Sequence, residues 1–324
     1  QWMRDEAEKR IGYLYPKIEI TSELAHERSD LKPYLGRKLT VIAWLWARTV
    51  KSPNPAFANV EVPLVSSFLL STKEGNEAFV EPVIENGNYR FTVRNGKPKN
   101  MEVAKNGTKL TRGANFQCLM SGTPIAGDYI KAEGKAGRMC ARLMAVVADG
   151  EPGRIYLSPT TEHEKILHKA KPNWKPDAPL PDEPMSCWAK PYGLEVFGDL
   201  FTARQLVSLA MFSDLVLEAS EQAKHDAFTL RLSRDDMSLC NGGEGAKAYS
   251  EAINVYLSFI VDKASDYWST ACSWHSSKEL IRNTFGRQVI PMIWDYAETN
   301  PFSSSTGNVS SGIEWAYKAL QLFN

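Results

Sequence analysis

The chain has 324 residues, 43 % hydrophobic and 23 % charged, enough for two or three domains of ordinary size with sizeable cores. Lysine plus arginine equals aspartate plus glutamate at 38 each, so the formal net charge is zero. That argues against a polyanion binder that uses its whole surface and leaves local basic patches open. No run approaches the ~18–20 apolar residues of a membrane span.

The first stretch, WMRDEAEKRI (2–11), reads as an amphipathic helix with Glu6, Glu8, Lys9 and Arg10 on a solvated face. Pro16 ends it, because its ring disfavours helical geometry at Tyr15. So charged a start does not resemble a signal peptide. Gln1 in place of an initiator Met suggests a processed chain, a fragment or an excised domain. The cysteines Cys118, Cys140, Cys187, Cys240 and Cys272 are widely spaced and odd in number. They fit a reduced, cytoplasmic protein rather than a disulfide framework.

Residues 21–38 are polar and read as a loop with short helical turns. LTVIAWLWARTV (39–50) is a continuous apolar run of β-branched and aromatic residues and reads as a buried strand, with a short buried helix as the alternative. Residues 51–130 are β-rich: 60–70 and 78–84 read as strands, Asn86-Gly87-Asn88 as a hairpin turn and 89–93 as the return strand. Asn95-Gly96 and Asn106-Gly107 mark two further turns.

Two basic groups follow from this region. The first holds Arg94, Lys97, Lys99, Lys105, Lys109 and Arg112 against the single acid Glu102. The second holds Lys131, Lys135, Arg138 and Arg142, interleaved with Gly134 and Gly137. Lysines neutralise phosphates, and small residues let a backbone approach one closely. The alternative for either group is a solvated hairpin and a helix start.

RIYLS (154–158) reads as another strand. Pro172, Pro176, Pro179, Pro181, Pro184 and Pro191 make 171–193 an extended crossing or linker. Beyond it the pattern turns helical. Thr202 and Gln205 form a capping box, and Leu206, Leu209, Phe212, Leu215 and Val216 stripe the helix it opens. A second helix is expected over 246–267, with Tyr249, Ile253, Tyr256, Leu257, Ile260, Val261 and Ala264 inward. A short helix capped by Ser276 or Ser277 is expected to reach Phe285, and a last helix to cover 313–322. The fold class is α+β: a small β-meander followed by a mainly helical C-terminal half. Four segments are expected: 1–50, 51–130, 131–198 and 199–324.

Local motifs are weak. Asn241-Gly-Gly-Glu-Gly245 before a helix could cradle an anion, yet it follows no clear strand and matches no nucleotide fingerprint, so an interhelix loop is the plainer reading. Cys118 and Cys140 are too far apart in sequence to be paired ligands, and His163 with His168 lacks cysteine partners. Nothing resembles a nucleophile elbow. Asn300-Pro301-Phe302 lacks a proline of the amino-methylating signature and reads as a helix end. Arg287 and Asp295 are expected either to pair internally or to reach a ligand.

Longer stretches carry more. WMRDEAEKRIGYLYP (2–16), TVIAWLWARTVKSPNPAF (40–57), YIKAEGKAGRM (129–139), RIYLSPTTEHE (154–164), YGLEVFGDLFTARQLVSLAMFSDLV (192–216) and NTFGRQVIPMIWDYAETNPFS (283–303) resemble, in order, the central part of the zinc-ribbon-containing adenine-specific DNA methylases. Those are large bacterial and archaeal enzymes often found with defence genes. The family's ribbon resembles CPNPxC followed by CxxC. Here these stand as Ser52-Pro53-Asn54-Pro55-Ala56-Phe57 and Cys118-Leu119-Met120-Ser121. One thiolate cannot hold a tetrahedral zinc, so a metal-free relic is expected, with Phe57 in place of a ligand.

The family's S-adenosylmethionine loop would precede Trp2 and its catalytic Asp-Pro-Pro-Tyr would follow Asn324. The resemblance therefore implies a target-recognition region of an N6-adenine DNA methyltransferase with no catalytic residue and no bound cofactor of its own. The implied partners are DNA and a flanking methylase polypeptide or defence-complex subunit. The DNA contacts would come from Lys97, Lys99, Lys105, Lys109, Arg112, Lys131, Lys135, Arg138, Arg142, Arg287 and Gln288. The alternative from another class is a non-catalytic protein-interaction module, which the zero net charge and the aromatic-rich 283–302 stretch suit.

Overall fold

The computed structural model describes residues 1–151, 153–183, 185–233 and 235–323. Pro184 and the side chain of His168, both singled out above, lie outside that description. Helix α1 (Trp2–Ile11) opens the chain, and the ribbon β1 (Ile18–Glu19) and β2 (Lys38–Leu39) encloses α2 (Ser22–Glu27). Next come β3 (Val41–Lys51), β4 (Glu61–Leu64), β5 (Leu69–Ser71), β6 (Ala78–Glu85), β7 (Asn88–Asn95) and α3 (Met101–Asn106). The ribbon β8 (Phe116–Gln117) and β9 (Pro124–Ile125) leads to α4 (Gly127–Lys135), β10 (Cys140–Asp149), β11 (Arg154–Leu157) and α5 (Thr161–Lys165). The remainder holds α6 (Ala203–Thr229), α7 (Ala246–Ser265), β12 (Ser273–His275), β13 (Leu280–Arg282), β14 (Asp295–Thr299) and α8 (Val309–Leu320).

The fold is α+β, and its centre is the predicted apolar strand. β3 sits between β10 and β14 in an antiparallel sheet of order β11-β10-β3-β14, with β4 continuing from its C-terminal half. Strands from 1–50, 51–130, 131–198 and 199–324 thus share this one sheet. Both faces of β3 are covered, which is why the run is apolar throughout rather than alternating. Trp44 and Trp46 face a core built with α1 and α6, while Ala43, Leu45 and Ala47 face one built with the β5-β6-β7 meander. The pairing Val147 to Ala43 and then Ala148 to Val41 leaves Ile42 as an extra residue. Such a bulge re-aims the side chains beside it.

Local signals hold where the residues dictate geometry. Asn86-Gly87 turns β6 into β7 with both residues at positive φ, as a two-residue hairpin requires. Thr202 caps α6: its hydroxyl accepts from the Gln205 backbone N–H, and the Gln205 side chain accepts from Thr202 N–H. The long apolar helices α6 and α7 pack on each other, and α8 packs on α7.

Three expectations are corrected. Residues 276–285 form no helix: Ser273–His275 and Leu280–Arg282 pair as a hairpin, with Glu279 in the left-handed turn at φ 53°. Its carboxylate accepts from Ser71, Asn76 and Tyr156, partners distant in sequence that offset the local strain. Likewise Asp295–Thr299 is a strand, and Asn300-Pro301-Phe302 ends that strand, not a helix. Asn300 donates to the Val41 carbonyl and accepts from Phe302 N–H there. On α7 only Ile260 and Ala264 of the proposed inner face are buried, whereas Tyr249 and Tyr256 are exposed. No helix among the described residues is long and apolar enough to cross a membrane.

Candidate nucleic-acid interface

The segment 283–294 runs from the β12–β13 hairpin to β14, and three sets of bonds hold it. Buried Asp266 anchors its start, accepting from Asn283 Nδ2 at 2.7 Å and Phe285 N–H at 2.9 Å. Its middle lies along the proline-rich crossing: Trp188 N–H donates to the Ile290 carbonyl, and Ile290 N–H donates to the Ser186 carbonyl. Its end is held by Arg48, whose Nε donates to the Ile293 carbonyl at 2.9 Å and whose backbone N–H donates to the Trp294 carbonyl at 2.8 Å. Burial lowers the Arg48 pKa, and its guanidinium lies 5.2 Å from the Tyr296 ring centroid.

These anchors open a cleft of about 530 Å³ between 283–294, the 109–114 turn, the hairpin and the 188–192 turn. Its walls include Trp188, Tyr192, Trp274 and Trp294, and its charged lining includes Lys109, Arg282, Arg287 and Asp295. Trp274 is fixed by its indole N–H, which donates to the Leu70 carbonyl at 2.7 Å. Trp294 meets Tyr192 edge-on at 4.9 Å and Phe116 at 5.2 Å. Trp188 keeps 47 % of its surface exposed, an open aromatic face beside the cations. Among the described residues, none of Lys109, Arg282 and Arg287 pairs with a carboxylate within 4.0 Å. Arg287 and Asp295 line the same cleft, yet they form no ion pair.

Asp295 is the acidic group of this lining. Its Oδ1 accepts from Ser66 N–H at 3.0 Å. Burial pushes its carboxyl up to about 6, against the pull of Ser66 and of Lys109. The cleft can therefore hold negative charge on three cations, apolar rings on its indoles and a hydrogen-bond donor on Asp295.

The predicted contact residues divide. Lys109 and Arg287 meet here, from positions 178 apart in sequence (287 − 109). Arg112 and Gln288 are exposed and next in sequence to lining residues. Lys97 and Lys99 line a separate groove against β6, where Arg94 pairs with Glu81 and Lys97 lies 3.9 Å from Glu77. Lys105 is exposed on α3. On α4, Lys131 pairs with Asp128 and Lys135 is exposed. Arg138 grips buried Glu133 at 2.6 Å, and the Arg142 guanidinium sits 4.6 Å from the Tyr89 ring centroid. Arg138 and Arg142 thus already have partners within the chain.

Gly134 does not open to a phosphate as the sequence suggested. A Cβ there would fall 2.1 Å from the Tyr192 carbonyl oxygen. Its smallness instead lets α4 meet the 190–193 turn and seat Tyr192 in the cleft wall. His163 proves to be the second half of the α5 cap, accepting from Thr160 N–H at 3.2 Å. Asn241–Gly245 is a turn between α6 and α7, as the plainer reading held.

Sequence reasoning missed Arg282, Trp188 and Trp274. The alternating SWH and LIR runs around a serine-rich turn were the available signal for the hairpin that carries two of them.

The ribbon positions converge as well. Ser52 Oγ lies 3.3 Å from Cys118 Sγ, and Ser121, three residues after Cys118, donates its hydroxyl to Thr123 beside it. Burial works to raise the thiol's pKa, but the polar groups of Ser121 and Ser52 around it outweigh that and hold it below its usual value. One thiol and two hydroxyls do not make a tetrahedral zinc site. Among the described residues no group of three or more His, Cys, Asp or Glu could hold a metal ion.

Compared with protein-family models, curated proteins and solved structures, the chain has no match.

Proposed function

We propose that this chain is the DNA-contacting, target-recognition region of an adenine-specific N6 DNA methyltransferase, with methyl transfer carried out by a flanking S-adenosylmethionine-binding polypeptide. The observation that carries the DNA-contact part is the cleft. Three cations from separate elements, Lys109, Arg282 and Arg287, line it with exposed and half-buried indoles, and among the described residues none of them forms an ion pair within 4.0 Å, Asp295 acting on Lys109 only from farther away. Cations beside aromatic platforms are the chemistry that phosphate and base recognition use. The methylase part rests on the resemblance. It is supported by the meeting of Ser52 and Cys118, two positions aligned with ribbon ligands that lie 66 apart in sequence.

Two experiments test the two parts separately. Fluorescence anisotropy with a mixed-sequence duplex at low and physiological salt tests DNA contact: each phosphate neutralised contributes about −0.9 to the slope of log K against log salt. Steep, tight binding is expected; no binding at low salt removes the reading. For the resemblance, Ser52→Cys, Phe57→Cys and Ser121→Cys together with Cys118 should restore stoichiometric zinc binding and raise thermal stability in a chelator-sensitive way. A folded variant that takes up no zinc would count against the family assignment.

A second reading has its own observation. Val255, Tyr256 and Phe259 are exposed on α7, and Trp315 is exposed on the neighbouring α8. Aromatic and aliphatic groups clustered on one face suit a protein-interaction module. A salt-insensitive complex with a methylase polypeptide, without DNA binding by this chain, would favour it.

A further inference from the structure

The cleft distinguishes an edge from a face. Its indoles present flat apolar surfaces, its cations lie about the same opening, and its acid is a carboxylate that accepts hydrogen bonds and donates none when ionised. Phosphate binding alone would not require Asp295, since a carboxylate repels phosphate. Nor would it require Trp188 to stand 47 % exposed beside Arg287. A planar ligand with a negative tail and a donor edge satisfies all three at once.

We propose that the cleft takes one unstacked nucleotide of the bound strand: its base lies against Trp188 or Trp274, its amino edge donates to Asp295, and its phosphates meet Lys109, Arg282 and Arg287. This rests on the reading of the chain as a DNA-contacting region and names the ligand of that site. Guanine fits best. Its Watson–Crick edge places N1–H and N2–H side by side, matching the two oxygens of a carboxylate. Adenine and cytosine each offer one amino group, and thymine offers only N3–H beside two repelling carbonyls. In a paired duplex those edges are occupied, so an unpaired or extruded base is the species that fits. The volume of about 530 Å³ accommodates a nucleotide and falls within the range of small-molecule clefts.

The test uses the full chain, an unsubstituted short oligothymidylate and four versions of it that carry one central guanine, adenine, cytosine or abasic site, read by tryptophan quenching and by anisotropy. The guanine strand should bind at least ~10-fold more tightly than the abasic strand. Asp295→Asn should reduce guanine's advantage over unsubstituted oligothymidylate to within ~3-fold and leave the salt slope unchanged, because an amide loses the two-acceptor edge while all three cations remain in place. Trp188→Ala should weaken all base-bearing strands alike. Equal affinity for guanine and abasic strands, or a guanine preference that survives Asp295→Asn, would overturn this inference. Salt-dependent duplex binding with no base preference removes the nucleotide site alone. Absence of any DNA binding removes the DNA-contact reading together with it.

Discussion

Strand β14 carries two carboxylates three residues apart, and they live in opposite circumstances. Glu298 is fully buried, and every donor around it is committed. Arg204 Nε and Nη2 reach it at 3.0 and 2.7 Å, the Trp46 indole at 2.9 Å and the Thr202 hydroxyl at 2.6 Å. The Arg204 guanidinium also caps the Trp44 ring at 3.9 Å and donates to the Leu14 carbonyl. Burial works to lower the Arg204 pKa, but Glu298 outweighs it and raises it. Asp295, an odd number of residues away and so on the other face, has Ser66 N–H and a nearby lysine, and it lines an open cleft. The same strand thus offers a closed charge that ties β3, the turn at Leu14 and the start of α6 together and an available charge with capacity left for a ligand. Buried acids should be judged by what their partners leave uncommitted, not by burial alone.

The largest effect should come from the closed side. Arg204→Met strands Glu298 in an apolar core and should cost about 3–5 kcal/mol in chemical denaturation, whereas Arg204→Met with Glu298→Leu should recover much of it. A single variant within ~1 kcal/mol of the parent would contradict the closed-charge description.

A second contrast compares two tryptophans. Trp46→Ala, which removes a fully buried indole and one of Glu298's donors, should cost about 3–5 kcal/mol. Trp188→Ala should leave thermal unfolding nearly unmoved while reducing DNA affinity by about 10-fold, the worth of one base stack. Equal stability losses at the two sites would erase the distinction between closed and open regions.

The smallest effect concerns pH. The Asp295 carboxyl is raised in the folded state from an ordinary 3.8 to about 6. The folded protein therefore binds more protons than the unfolded chain between those values. The contribution of this group to stability is present at low pH and is lost as pH rises through about 6. Asp295→Asn should flatten the stability–pH curve between about 4 and 6. In the parent, duplex binding should strengthen as pH falls through that window, because the neutral acid no longer repels phosphate. An unchanged pH profile in the variant would show that Asp295 titrates as an ordinary surface acid.

Much of the fold was legible because single residues dictate it. The run from Val41 to Val50 is too apolar for a half-exposed strand, Asn86-Gly87 admits the positive φ that a tight hairpin needs, and Thr202 with Gln205 caps a helix wherever it starts. β14 was hidden because five residues are too few for a period to emerge, and its alternation interleaves Asp295 and Glu298 with Tyr296 and Ala297. The cleft was half legible. Charge density pointed to Lys109, and the aromatic 283–302 stretch pointed to Arg287. Their meeting depends on antiparallel pairings between segments more than 200 residues apart, as between β3 and β14, which no local pattern encodes. The same charge density also pointed to Arg138 and Arg142, which the fold engages with Glu133 and Tyr89.

The central claim is that the open cleft, not the basic surface at large, grips DNA. The direct measurement is log K against log salt for the parent and for Lys109→Ala/Arg282→Ala/Arg287→Ala on one mixed-sequence duplex. The account predicts that the variant folds normally, binds more weakly and loses about 2 to 3 from the magnitude of the slope, close to 0.9 for each cation removed. Two parallel lines of equal affinity would contradict it and place any DNA contact elsewhere on the molecule.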